Sequence, residues 1–332
     1  MSDGKDQDIK FFKIGMLLTA FIIVILGGIF VWNKYFKEPE EIPQAKPDVT
    51  ERVLEVEGLT EEHILFFMAD SHISLCDDRD PDLTEKAKAR AESFKYNGFD
   101  SEDYFKNLIQ ESLNRRADVV ILGGDIIDSA MYASIDVVKE QMQVLKDHET
   151  FGLYYCGNHD FEYGSEYYSQ VAYDEYLPRL SEFHAAKSYR ITEYDDLVIF
   201  AADDENNQIS EEALEAFKEV MTKGKPVVLC LHVPLEPATE DTSFVEICKT
   251  TWGADENGHS RVSIGPNGCY MNETTQEFRD LVLSEESPVV LVLGGHVHFF
   301  HEDELNERTI QIVTGAAFEG KAVEVTLKPA SN

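Results

Sequence analysis

The chain has 332 residues, with 63 Asp or Glu against 29 Lys or Arg, giving a formal net charge of −34. So acidic a surface repels polyanions at long range, and no basic stripe interleaved with aromatics offsets it, which argues against nucleic acid as substrate or partner. A hydrophobic content of 43% suits one large core plus an appendage, and five cysteines, an odd number, argue against a disulfide framework.

Residues 1–13 read as a short N-terminal tail. From Ile14 to Trp32 no charge occurs, and at 1.5 Å per residue such a stretch crosses a hydrocarbon core of about 30 Å, so it is expected to be a transmembrane anchor. Phe11 and Phe12 before it and Trp32 and Tyr35 after it suit the two interfaces. A cleaved signal peptide is the competing reading, but its apolar part is usually shorter and no small-residue cleavage site follows. Residues 33–62, with Pro39, Pro43 and Pro47 among many acids, are expected to form an extended, solvated stalk.

Five apolar runs then each end in a cluster of potential ligands. Ile64 to Met68 precedes Asp70-Ser71-His72, and Val119 to Leu122 precedes Gly124-Asp125-Ile126-Ile127-Asp128. Leu153 to Cys156 precedes Gly157-Asn158-His159-Asp160, Val227 to Leu231 precedes His232, and Val289 to Leu293 precedes Gly295-His296-Val297-His298. Runs this short and apolar on both faces read as buried strands, and loops at the carboxyl ends of such strands converge on a crevice. Between them, Leu83 to Arg116 reads as helical, and with the charged Asp77-Asp78-Arg79-Asp80 before it as either a solvated cover or a cap that shapes the substrate pocket, in which Arg79 could reach a phosphate. Ser210 and Lys223-Gly224 bound another helix, and Thr274 with Glu277 forms a possible capping box. Ile310 to Val313 and Ala322 to Leu327 read as closing strands.

Singly these motifs are weak, since Asp-x-His or a lone histidine arises by chance, but their joint occurrence at strand ends is specific. The set resembles the calcineurin-like metallophosphoesterase family, whose pattern is D-x-H, G-D-x-x-D/N, G-N-H-D/E, a lone H and G-H-x-H. The resemblance implies a catalytic domain over 63–329 and an α/β fold, a four-layer αββα sandwich of two mixed β-sheets flanked by helices. It also implies one metal held by Asp70, His72, Asp125 and His298, and a second held by Asp125, Asn158, His232 and His296. By the same resemblance His159 is a non-ligand catalytic histidine, with Asp160 as the carboxylate that orients it.

Independently, mixed imidazole, carboxylate and amide donors suit Mn, Fe or Zn better than Ca²⁺ or Cu(I). Two such ions can bridge a hydroxide and stabilise in-line displacement at phosphorus, while a neutral-range imidazole protonates the leaving alkoxide. The expected activity is a membrane-anchored phosphohydrolase acting on a small phosphomonoester or phosphodiester. A non-catalytic metal-binding or signalling head and an anchored nuclease are the rivals. The charge disfavours the nuclease, and the complete ligand set disfavours the scaffold. The slight Lys bias around the span, with so short a leader, suggests a signal-anchor at the cell membrane whose catalytic domain faces out, against which the five cysteines weigh.

Overall fold

In this computed structural model, which describes residues 44–161, 174–181, 183, 188–204, 206–239 and 242–331, all five apolar runs are strands. One sheet contains β1 (Asp48–Val56), β2 (His63–Met68), β3 (Val119–Gly123), β4 (Phe151–Tyr155) and β11 (Lys321–Pro329), in the order β1-β11-β2-β3-β4. The other contains β5 (Tyr189–Glu193), β6 (Val198–Ala202), β7 (Val227–Cys230), β8 (Val289–Gly294), β9 (His301–Glu304) and β10 (Ile310–Val313), in the order β5-β6-β7-β8-β10-β9. Both are mixed. Strands β2, β3 and β4 run parallel, as do β6, β7 and β8, while β11 is antiparallel to β2, and β5 and β9 are antiparallel to their neighbours.

Side-chain alternation sets the layers. Leu65, Phe67, Val119 and Ile121 of the first sheet meet Ile199, Val228, Cys230, Leu291 and Leu293 of the second in one buried cluster. The opposite face of the first sheet, through Phe66, Met68, Val120 and Leu122, packs on Phe105, Leu108, Ile135 and Val138. Those residues belong to helices α2 (Ser101–Asn114) and α3 (Tyr132–Asp147), which follow α1 (Thr84–Ser93). On the far face of the second sheet, Val198, Phe200, Leu229 and Val292 pack on Leu214, Phe217, Phe278 and Val282. These come from α4 (Glu211–Met221) and α6 (Glu273–Leu283), with α5 (Ser243–Trp252) between them in sequence. Because both faces of each sheet are covered, strands β3, β6, β7 and β8 are apolar throughout rather than alternating. The two sheets are also tied by His63 at the start of β2, whose Nε2 lies 2.8 Å from Asp196 in the β5–β6 turn.

Ser210 caps α4 as expected, accepting from the Ala213 amide. The helix expected to open at Thr274 instead has Asn272 as its cap, which accepts from the Thr275 amide. An Asn side chain two residues upstream satisfies the first free N–H groups before Thr274 can.

The expected tail at 1–13, the span at 14–32 and the stalk up to residue 43 lie outside the described residues. Among the described residues no helix is long and apolar enough to cross a membrane. The expected stalk over 33–62 is corrected from Asp48 onward, because Asp48–Val56 is β1 and all nine residues register against β11. The compact unit accordingly begins at Ala45 rather than residue 63. Glu51, Arg52 and Glu55 hid the period-two pattern there; charges of this kind are how an edge strand avoids pairing with other chains.

Val56 is buried, while Val49 and Leu54 pack on the two clusters bordering the first sheet. A chain starting at residue 60 is therefore expected to be less stable than one starting at residue 44 by roughly 3 kcal/mol or more, on the scale of burying two apolar side chains. Equal urea midpoints for the two chains would show that β1 is dispensable.

Candidate metal centre

The loops that follow β2, β3, β4, β7 and β8 are stitched together by their own backbones. The Asp70 amide donates to the Gly124 carbonyl, the His72 amide to Asp125, the Ser129 amide to His159, and the Gly295 amide to His232. This network holds Asp70, His72, Asp125, His296 and His298 at positive φ, between 49° and 69°. A non-glycine residue there carries a cost of order 1–3 kcal/mol, and such strain concentrates where side-chain direction matters. The motif glycines have a different reason. A Cβ on Gly157 would sit 2.4 Å from Asp125 Oδ1, and one on Gly295 would sit 2.8 Å from Asp70 Oδ2.

All seven predicted ligand residues meet at this centre, in two groups. In one, His72 Nε2 lies 3.2 Å from His298 Nε2 and 4.0 Å from Asp70 Oδ1, while His298 Nε2 is 3.4 Å from Asp70 Oδ1. In the other, His232 Nε2 lies 3.1 Å from Asp125 Oδ2, with His296 alongside. Asp125 Oδ2 is also 3.9 Å from His72 Nε2, so one carboxylate oxygen stands between the groups. Asn158 lines the same cavity.

The donors fit metal ions. Ligands held about 2.1 Å from one cation lie roughly 3.0–3.4 Å from each other in tetrahedral or octahedral arrangements, which is close to the spacing of the first group. The buried Asn158 Oδ1 has no hydrogen-bond partner among the described residues, a costly state that a cation would relieve. His232 Nδ1 faces the Gly123 carbonyl at 3.0 Å, which directs its Nε2 inward.

Electrostatics divides these histidines. Burial pulls His72 down to about 4 and His296 to about 3, so both are neutral and able to coordinate. Burial also works against protonation of His232, but the charges of Asp125, Asp70 and Asp204 outweigh it and push its pKa up to about 10. A proton there occupies the position a cation would take.

His159 reaches the centre as expected, but its expected partner is corrected. His159 Nδ1 lies 2.9 Å from Asp128 Oδ1, not from Asp160. Asp160 is fully buried and turned the other way, accepting from the amides of Asp125 (2.7 Å), Gly157 (2.6 Å) and Ile127 (3.1 Å) and from the Tyr154 hydroxyl (2.6 Å). It fastens two ligand loops together. Desolvation and then the Asp125 charge push the Asp160 carboxyl up to about 7. Asp128 is held in turn by the Arg90 guanidinium, with Nε at 2.7 Å and Nη2 at 3.0 Å. Despite the cost of burial, His159, His72 and Arg90 hold the Asp128 carboxyl well below the ordinary range.

A cavity of about 800 Å³ opens above these residues, and Arg90, Phe94 and Trp252 form part of its wall. Arg79 does not reach it; its Nε pairs with Asp77 at 3.0 Å and its guanidinium with Asp136. Sequence reading missed Arg90, Phe94, Trp252 and Asp204, the last of which accepts from the amides of His232 and Val233. Only Asp204 carried a signal, as a carboxylate just beyond the apolar run of β6. Cys156 and Cys230 are buried as expected, and all five cysteines are free.

The family model for calcineurin-like phosphoesterase matches residues 65–300. No curated protein sequence matches the chain. Among solved structures, a dimetal phosphatase from Danio rerio is 14% identical, over 77% of this chain and 88% of its own, with a TM-score of 0.46. A purple acid phosphatase from yellow lupin (Lupinus luteus) seeds is 16% identical, over 80% of this chain and 46% of its own, with a TM-score of 0.49.

Proposed function

We propose, from the premise that this chain belongs to the calcineurin-like phosphoesterase family, that it is a membrane-anchored hydrolase cleaving a small phosphomonoester or phosphodiester at two bound metal ions. The observation that carries this reading is the pair of buried donor groups sharing Asp125 at the floor of one cavity. Asp70, His72, Asp125 and His298 would hold one ion, and Asp125, Asn158, His232 and His296 the other. Bound there, the ions supply a nucleophile at neutral pH and neutralise the phosphoryl oxygens.

The protein residues do the rest. His159 lines the cavity with its Nδ1 on Asp128, which assigns proton delivery to Nε2. Burial opposes its charged form, but Asp125 and Asp128 outweigh that and raise its pKa, which favours the protonated imidazole that a leaving alkoxide would need. Arg90 fixes Asp128 and adds positive charge to the wall of a strongly acidic protein. The donor chemistry favours Mn, Fe or Zn.

The full chain is expected to bind up to two such ions and, when loaded, to turn over members of a phosphoester panel. Metal affinity should fall as pH falls, because His232 carries a proton below about pH 10 that the cation must displace. The change should be about tenfold per pH unit for each proton released. Mn²⁺ titrations at pH 6.5 and 7.5 giving the same affinity would contradict the placement of an ion at His232.

The uncharged stretch over 14–32 supports a single-pass anchor, and the slight Lys bias supports an extracytoplasmic catalytic domain. Since β1 begins at Asp48, the connection between the expected span and the catalytic unit ends before that strand rather than reaching residue 62. Protease added to intact cells should cut there and release the catalytic unit. Protection until the membrane is permeabilised would reverse the orientation.

A further inference from the structure

The cavity is far larger than a phosphate needs, and its walls are not uniformly polar. At about 800 Å³ it has room for a substituent the size of a nucleoside or a substituted aryl group beside the phosphate. Trp252, the last residue of α5, lines it with 46% of its surface exposed. Its position is fixed on two sides. The indole Nε1 donates to the Val297 carbonyl at 3.0 Å, and the ring meets the His298 imidazole edge-on at 5.3 Å. The indole N–H is therefore already used, and the exposed part offers a ring surface rather than a donor. Phe94 forms another part of the wall, stacked on His72 at 4.1 Å with the rings 5° from parallel. Asn206 and Asn207 line the cavity as well and bring amide groups that can pair with the edge of a planar polar ring.

An exposed tryptophan held rigidly beside a ligand histidine has no role in packing the core. Indole is also the side chain best suited to stacking on flat aromatic systems. We infer that Trp252 is a specificity-determining residue, and that the preferred substrate is a phosphoester bearing a planar aromatic group that stacks on it. The inference rests on the phosphohydrolase reading above and goes further by naming the substrate class. A nucleobase and a simple aryl ring share the stacking chemistry. They differ at their edges, where only the base can pair with Asn206 and Asn207.

The test uses the metal-loaded full chain with three probes: a nucleoside monophosphate, an aryl phosphate and glycerol phosphate. Trp252→Ala should lower the ratio of kcat/KM for the ring-bearing esters over that for glycerol phosphate by about tenfold or more, the scale of one base–aromatic stack. The loss should lie mainly in KM, bound metal should be unchanged, and Trp252→Phe should restore much of the ratio. A larger loss for the nucleotide than for the aryl ester identifies the base as the stacked group, and equal losses identify any flat ring.

Binding gives a second readout. Trp32 is the other tryptophan of the chain, so in Trp32→Phe the fluorescence comes from Trp252 alone. A nucleoside should quench it saturably and glycerol phosphate should not. An unchanged selectivity ratio in Trp252→Ala, or no quenching, overturns the stacking subsite while leaving the hydrolase reading in place. Absence of turnover on every ester with both metals bound overturns the hydrolase reading, and the inference with it.

Discussion

Asp125→Ala is expected to empty both halves of the centre, not one. Asp125 Oδ2 lies 3.1 Å from His232 Nε2 and 3.9 Å from His72 Nε2, so the same oxygen serves both donor groups. Its Oδ1 accepts from the His159 amide at 2.7 Å, which keeps the carboxylate in one orientation. Removing it takes away a charge that both ions need and loosens the loop carrying Asn158 and His159. The loss of metal affinity should therefore exceed the roughly 10–100-fold typical of losing an outer hydrogen-bond partner, and turnover should disappear with it. Asp125→Asn separates the two contributions, because an amide oxygen can still accept from His159 while the charge is gone. It should keep the loop geometry and still bind metal poorly. Elemental analysis finding two ions per chain in Asp125→Ala would show that the carboxylate is not shared.

Why this centre could be read from the sequence, and its surroundings could not, has a physical basis. Asp70, Asp125, Asn158, His232 and His296 each follow an apolar strand by a few residues, so strand direction delivers them to the carboxyl ends of parallel strands in the two sheets. Strands β3, β6, β7 and β8 were equally visible, because burial on both faces leaves no polar position in them. Edge strands β1 and β9 carry the opposite signature. Glu51 and Glu55 of β1 and Glu302 and Glu304 of β9 are exposed, and the run His301-Glu302-Asp303-Glu304 has no apolar residue at all. Its pairing with β10 is a tertiary outcome.

The cavity wall was hidden for a related reason. Arg90 and Phe94 come from the end of α1 and Trp252 from the end of α5, and nothing local to either segment says that they face the metal ligands. The misassigned partner of His159 is the sharpest case. Asp160 is its neighbour in sequence, but its carboxylate turns back toward the amides of Asp125, Ile127 and Gly157. The carboxylate that meets the imidazole is Asp128, at the end of a motif whose first Asp had drawn all the attention. Adjacency in the chain is a poor guide where five loops interleave.

That correction makes three substitutions at the centre distinguishable. His159→Ala should keep its metal, since its Nδ1 is engaged with Asp128 and the two donor groups around Asp125 do not require it. It should lose turnover by about 10²–10⁴, the range for removing a general acid. The deficit should shrink for a nitrophenyl ester, whose leaving group hardly needs a proton, and be largest for an alkyl ester. Asp128→Asn should show the same dependence on leaving group in weaker form, because the imidazole remains but loses the charge that raises its pKa and fixes its orientation. Asp160→Asn should behave differently. Its carboxylate ties the Asp125 loop to the Gly157 loop, so replacing it should weaken metal binding and stability with no preference among leaving groups. If His159→Ala loses metal, the histidine is a ligand. If Asp160→Asn reproduces its leaving-group profile, Asp160 and not Asp128 supports the acid.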